Sequence, residues 1–263
     1  MAQAIILPLI ERGDFLPHEI FGVVGTKESV KRVADRMPKG IDIVCSCDPR
    51  ADDVWDLPLK LLAVKPQQLP TIQNSLQNIV NKKSIKPSLL ISLLAGVKVS
   101  SLETIFSDMS CVRVVPNIPV LVGAGLTGFS SSKQLISSDK LLVEKIFSPI
   151  SEVLELPEKQ LDAFLALTSS GPAYVALMVE ALADGAVAAG LPRILAIELA
   201  QKTLVGTAKL LKEKNIHPGE LKDMVSSPGG TTIAALRHLE KAGLRSALIE
   251  AVVVAAETSR KMS

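Results

Sequence analysis

Aromatic side chains are scarce in this chain: one Trp, one Tyr and six Phe among 263 residues. The apolar content rests instead on Ala, Leu, Val and Ile, which suits an α/β or helical protein with close helix packing and argues against disorder. Cysteine is scarce too. With three cysteines, two of them (Cys45 and Cys47) one residue apart, there is no disulfide framework, and a reduced, cytoplasmic setting follows. A metal site starting at Cys45 and Cys47 needs a second Cys or His pair at ligand spacing, and none follows, so the two read as strand-end residues and no metal is expected. His18, His217 and His238 are scattered beside turns or charged residues and read as surface or capping positions.

An excess of one charge is also missing. The net charge of +2 is spread without a basic block or interleaved aromatics, which leaves no footprint for nucleic acid. No basic stretch precedes the first apolar run, so no signal peptide is expected. The small-residue run at 173–190 carries Glu180 and Asp184 in its middle and reads as a poor membrane span.

What is present falls into two halves. From residue 1 to about 157, "EIFGVVG" (19–25), "IDIVCS" (41–46), "LKLLAVKP" (59–66), "SLLISLLAG" (88–96) and "CVRVVP" (111–116) read as strands. Several are near-continuous apolar runs, as in a parallel sheet covered on both faces. Helices are expected over 28–37, 67–82, 100–107 and 138–149 between and after them. This alternation marks a doubly wound nucleotide-binding sheet, whose ligands lie beyond the carboxyl ends of the strands. The loops Gly25-Thr26-Lys27, Ala63-Val64-Lys65-Pro66, Ala95-Gly96 and Pro116-Asn117 are therefore the candidate ligand loops.

One feature of such a domain is absent. Ala2 to Glu11 reads as a helix with Ile5, Ile6, Leu9 and Ile10 on one face, and Pro8 is a blemish in it. In a dinucleotide-binding domain the first helix follows a strand and a glycine-rich turn that bring the pyrophosphate to the helix N-terminus. Here neither precedes the helix, and "GVVG" is a strand with the wrong spacing. Either this is not such a domain, or its opening segment is absent from this chain.

After residue 157 the strands disappear. "EKQLDAFLALTSS", "AYVALMVEALADGAVAAG", "RILAIELAQKTLVGTAKLLKEK" and "LRSALIEAVVVAAETSRKM" read as helices. Pro172 and Pro192 sit where a first-turn proline belongs, and Gly190 where a helix stops. The small residues of Ala173 to Gly190 let another helix approach closely, either from a partner subunit or from the same one. "VSSPGGTTIAAL" runs into a further helix. Its unpaired N–H groups suit an anion such as a carboxylate, and Gly229 and Gly230 allow close approach. Alternatively, Pro228, Thr231 and Thr232 simply start and cap that helix.

The segments "LTSSGPAYVALMVEALADGAVAAGLPRILA" and "HPGELKDMVSSPGGTTIAALRHLEKAGLRSALIEAVVVAAETSR" closely resemble the pyrroline-5-carboxylate reductase family. "LAVKPQ", "ISLLAG" and "RVVPNIPVLVGAG" carry the family's weaker marks in the first half. The resemblance implies an α/β Rossmann-like domain over 1–157, with its first strand and glycine-rich loop missing, and an all-α dimerisation and substrate domain over 158–263. It implies reduction of pyrroline-5-carboxylate to L-proline by NAD(P)H, in a homodimer assembling further into a decamer-like ring. Substrate would lie between the nicotinamide and the helical domain, partly contributed by the neighbouring chain.

The resemblance also assigns residues. The loop matching Ser227 through Thr232, with Val225 ahead of it, would hold the substrate carboxylate, Gly230 and Thr231 offering N–H groups. The Thr232 hydroxyl would meet the ring nitrogen as the catalytic group. Ala63, Val64, Lys65 and Pro66 match a loop along the cofactor, Leu93 and Ala95 a second cofactor-lining strand end, and Asn117 a turn near the nicotinamide. Lys65 reads equally as an exposed loop lysine. Glu158 matches a substrate-lining position, and reads equally as a first-turn acid complementing a helix dipole. Thr26 and Lys27 stand where the adenosine ribose is read and lean towards the 2′-phosphate of NADP over NAD, with Glu28 blurring the choice.

Departures from the family pattern are Arg50 for asparagine, Ile118 for threonine, Ser169 for glycine and Met224 for a polar residue. The absent first strand would lie centrally in the sheet and leave its neighbours with unpaired backbone groups; the pyrophosphate would lose its cradle. A competing hydroxyacid dehydrogenase would need a catalytic lysine in the interdomain helix, and Ala176 to Ala189 contains none. The other competing reading is a truncated, non-catalytic form that keeps only the oligomerising helical domain.

Overall fold

A computed structural model describes residues 1–80, 88–132 and 135–261. The last positions of the helix expected over 67–82, and Met262 at the chain's end, lie outside them. The chain forms two compact units, Met1–Ser169 with Ala256–Ser263, and Ser170–Ala255.

The first unit alternates strands and helices. It opens with α1 (Ala2–Glu11), which keeps Pro8 inside it, followed by β1 (Phe21–Val24), α2 (Lys27–Ala34), β2 (Asp42–Cys45) and a 3-10 segment at Pro49–Asp56. Next come β3 (Leu59–Leu62), a 3-10 turn at Pro66–Gln68, α3 (Leu69–Val80), β4 (Ser88–Ser92), α4 (Val99–Ile105) and β5 (Met109–Pro116). A 3-10 turn at Ile118–Val122 leads to β6 (Gly125–Ser131), α5 (Ser137–Phe147), β7 (Ser151–Glu155), a last 3-10 turn at Glu158–Gln160 and α6 (Leu161–Thr168). All five expected strands form, and β6 and β7 are two more.

Strands β3 to β7 make one sheet in sequence order, parallel except where β5 meets β6. The link from Asn117 to Ala124 explains that exception: it is too short for the crossover a parallel pair needs. Strands β1 and β2 pair in parallel, Phe21 opposite Asp42 and Val24 opposite Cys45, but form a separate sheet. Among the described residues no strand joins β1 to β3, so the two sheets are divided where a central strand was expected.

The larger sheet is apolar on both faces, which is why its strands read as unbroken runs. Leu89 and Ile91 of β4, with Val112 and Val114 of β5, join Ile5 and Leu9 of α1 and Val143, Ile146 and Phe147 of α5. Leu90 and Cys111 point the other way, to Leu76 and Ile79 of α3, Leu102 of α4, and Trp55. Trp55 stacks on Phe106 with ring centres 6.1 Å apart.

The second unit is helical: α7 (Gly171–Ala188), α8 (Arg193–Lys214), α9 (Pro218–Met224) and α10 (Thr231–Lys241), with α11 (Leu244–Lys261) ending in the first unit. Its packed centre is small, with Ala183, Ala196 and Ala200 buried among Val179, Ala186 and Val187. The Tyr174 hydroxyl donates to the Ala251 carbonyl at 3.3 Å. Leu177, Leu182, Ile194, Val205 and Val254 are all exposed. By length and composition alone, Glu158–Ala188 is apolar enough to cross a membrane. The chain breaks helix there between α6 and α7, and Glu180 and Asp184 lie within α7.

Candidate functional site

The entrance to α10 is built by two glycines. Gly229 has φ +69°, a left-handed conformation that side chains rarely adopt. Gly230 is the N-cap residue, and its amide donates to the Ser227 carbonyl at 3.0 Å. A Cβ on Gly230 would stand 2.4 Å from the Ser227 hydroxyl oxygen. No side chain caps this helix, because the N-cap position is glycine. Thr231 and Thr232 are the first two helical residues and therefore do not serve as its N-cap. The first-turn amides keep the partial positive charge and unpaired donors of a helix N-terminus. Val225 and Ser227 are exposed and Thr232 is half-buried; Ser226 turns away, its hydroxyl donating to the Lys222 carbonyl at 2.7 Å.

The first unit gathers most of the remaining candidates. Because β3, β4 and β5 are parallel neighbours, their carboxyl ends lie side by side. This brings together Ala63 to Pro66, Leu93 with Ala95, and Asn117. The Leu93 amide donates to the Leu62 carbonyl at 2.9 Å, and the Lys65 amide to Gln68 Oε1 at 3.2 Å. Ala63 and Lys65 are exposed and Leu93 and Ala95 half-buried. Asn117 is buried with both ends of its amide engaged: Oδ1 accepts from the Leu126 amide at 2.8 Å and Nδ2 donates to the Thr168 carbonyl at 3.1 Å. It ties the end of β5 to β6 and α6. The Ser169 hydroxyl reinforces this by donating to the Pro116 carbonyl at 3.2 Å.

Thr26 and Lys27 follow β1. Thr26 caps α2, its hydroxyl oxygen accepting from the Ser29 amide at 3.2 Å. Lys27 lines an open pocket of about 470 Å³ together with Cys45, Cys47, Asp48 and Arg50. Arg50 pairs with Asp42 at 2.9 Å and Asp48 at 3.3 Å, and hydrogen bonding to Asp48 lifts its pKa. Hydrogen bonds from Arg50, backbone first, lower that of Asp48. Sequence reading noticed Arg50 only as a departure; its place in this pocket follows from the turn after β2.

Glu158 is committed to the first unit. Its Oε1 accepts from the Val99 amide at 2.7 Å, capping α4, and stands 3.7 Å from Arg113 Nη1. Arg113 is 2% exposed and its Nη2 reaches Asp162 at 3.2 Å, while Asp162 also accepts from the Ser259 hydroxyl at 2.8 Å. This buried cluster joins β5, α6 and the end of α11, and nothing in the apolar run around Arg113 announced it.

The comparisons with known proteins agree across the chain. The family model for the pyrroline-5-carboxylate reductase dimerisation domain matches residues 158–262. The pyrroline-5-carboxylate reductase of Synechocystis is 44% identical over 264 residues, covering 100% of this chain and 94% of that protein. The Arabidopsis thaliana enzyme is 36% identical, covering 100% of this chain and 92% of its own length. Among solved structures, the Plasmodium falciparum pyrroline carboxylate reductase with NADP bound superposes with a TM-score of 0.85 at 29% identity, covering 99% of this chain and 93% of that one. The Streptococcus pyogenes 1-pyrroline-5-carboxylate reductase does so with a TM-score of 0.86 at 28% identity, covering 99% and 95%. With relatives of this similarity matched along both the strand-rich and the helical half, the chain belongs to the pyrroline-5-carboxylate reductase family.

Proposed function

We infer that this protein reduces pyrroline-5-carboxylate to L-proline with NAD(P)H, the last step of proline biosynthesis. The observation that carries the reading is the uncapped start of α10, where Gly230 leaves the first-turn amides without a side-chain partner. A small carboxylate fits there, held by the Thr231 N–H group with Val225 and Ser227 beside it, while the Gly230 N–H is shared with the Ser227 carbonyl. The hydroxyl of Thr232, a half-buried residue of the same turn, would hydrogen-bond the imine nitrogen. That contact matters because negative charge would otherwise develop on the nitrogen as the carbon is reduced. A threonine hydroxyl is a weak acid, so its work is orientation and relay, and the substrate arrives largely protonated. Glu158, the remaining substrate-lining candidate, holds α4 and Arg113 within the first unit, both through Oε1.

The nicotinamide supplies hydride to the imine carbon when it is bound. The strand-end loops at Ala63–Pro66 and Leu93–Ala95 offer backbone and small side chains on which a flat ring can lie, and Asn117 positions the adjoining turn. Lys27 lines the pocket beyond β2, where Arg50 is paired with Asp42 and Asp48, and its charge favours the 2′-phosphate of NADP over NAD. The division of labour falls between 1–157, which holds cofactor, and 158–263, which holds substrate and dimerises. The exposed apolar residues of α7, α8 and α11 support a homodimer, with a larger ring built from dimers. Three free cysteines fit a cytoplasmic setting.

Absorbance loss at the nicotinamide band, with NADPH and pyrroline-5-carboxylate supplied together, tests the activity. Thr232→Ala is expected to lower turnover by about 10²-fold with the fold retained. An unchanged rate would remove Thr232 from the mechanism. A dimer that neither binds NADPH nor turns over would restore the non-catalytic reading, which the full-length match to the relatives does not favour.

A further inference from the structure

Cys45 and Cys47 meet at the carboxyl end of β2, and the reduction of an imine uses neither. The chain turns sharply there: the Asp48 amide donates to the Cys45 carbonyl at 2.8 Å, closing a β-turn over Cys45 to Asp48. The Cys47 amide donates to Cys45 Sγ at 3.3 Å, which folds the Cys45 side chain back over residue 47. Cys45 is buried, with its thiol directed at the Gly25 carbonyl at 3.8 Å, while Cys47 is exposed. Both line the pocket that contains Lys27.

We propose that Cys45 and Cys47 are a thiol-modification site, closing reversibly into an intramolecular disulfide with a small disulfide such as oxidised glutathione as the oxidant. Cys47, the sulfur open to solvent, attacks the small disulfide as a thiolate and expels one thiol. Cys45, already folded against it, then attacks the Cys47 sulfur as a thiolate and expels the second. Two protons and two electrons leave the cysteine pair, and the oxidant ends as two thiols. Exposure divides the roles in this way, Cys47 being open to solvent and Cys45 buried. Hydrogen bonds from the Cys47 thiol and amide, then from Ser46, with the charge of Lys27, lower the Cys45 pKa. The neighbouring Cys45 thiol raises that of Cys47, which makes the first attack the slower of the two steps. Cys111 takes no part, since burial pushes its thiol up to about 12.

Closing the ring removes the Cys45 S–H from the Gly25 carbonyl, to which the Ser46 hydroxyl also donates at 3.2 Å. Gly25 directly precedes Thr26 and Lys27, so oxidation reshapes the mouth of the pocket. That this weakens cofactor binding rests on the proposed placing of the adenosine phosphate there.

Trypsin isolates both sulfurs on one fragment, Gly40–Arg50, which makes the test direct. The full chain is incubated with oxidised glutathione, unfolded, alkylated and digested. The fragment is expected to be lighter by two hydrogens and unalkylated, to recover both thiols on treatment with dithiothreitol, and to do so while Cys111 stays alkylated. Cys45→Ser should leave Cys47 carrying glutathione, and Cys47→Ser should leave Cys45 reduced. A parent fragment with two alkylated thiols, or with glutathione and no bridge, overturns the proposal. NADPH titration by fluorescence is expected to show about tenfold weaker binding to the bridged protein. Equal affinity with the bridge complete overturns the link to the cofactor and leaves the bridge standing. Failure of the reduced protein to bind NADPH counts against the cofactor reading alone.

Discussion

Arg113 is among the largest fully buried side chains of the protein, and its Nε has no partner. A guanidinium so placed is tolerable only because Asp162 and Glu158 face it. Asp162→Ala removes the nearer carboxylate and the acceptor of the Ser259 hydroxyl together, and is expected to cost about 3–5 kcal/mol in urea unfolding. A midpoint equal to that of the parent would mean the cation finds other company. Asn117 shows the same limit on what a sequence discloses. Its residue type and neighbourhood are visible in the "PNIP" turn, but its amide bonds partners 9 and 51 positions away. Periodicity registers neighbours along one element and carries no record of such pairs. The α10 corner was legible because its chemistry is local: two glycines, then two threonines, at a helix start.

Among elements, those with a clean apolar run or helical period could be read directly. The strands β1 to β5 and the helices α1 to α5 stand where the pattern put them, give or take their ends. Strand β6 escaped because it contains glycines where strand-forming side chains are expected. The packing explains them. A Cβ on Gly125 would stand 2.4 Å from Val120 Cγ1, and one on Gly128 2.8 Å from the Phe164 ring. Helix α6 thus lies so close to β6 that only hydrogen fits between. Gly128→Ala is expected to destabilise by about 1–3 kcal/mol through overpacking, and Phe164→Leu in the same chain to recover part of that loss. Thermal melts of the two variants check it; an unaltered single variant would show that the ring simply moves aside. Strand β7, half-exposed and bracketed by "SPI" and "LPEK", lacks the strong run that identifies β4 and β5.

At the level of the whole molecule the two units are stabilised differently. The sheet unit has two apolar clusters, one on each face, whereas the helical unit encloses little beyond three alanines. Ile194 is 84% exposed and Val205 69% exposed, along a helix of 22 residues. Such a surface belongs to a dimerisation domain, as the family model describes it. Val205→Glu is therefore expected to lower the mass found by sedimentation equilibrium from a multiple of the chain to one chain, with a loss of thermal stability. A variant that sediments like the parent would place Val205 outside the contact. The dearth of aromatic rings has a practical side as well. The single Trp55 is stacked inside the sheet unit, and the single Tyr174 is anchored to Ala251 inside the helical one. Each unit thus carries its own optical label, so indole emission and phenol absorbance can follow the melting of the two separately, with no dye attached.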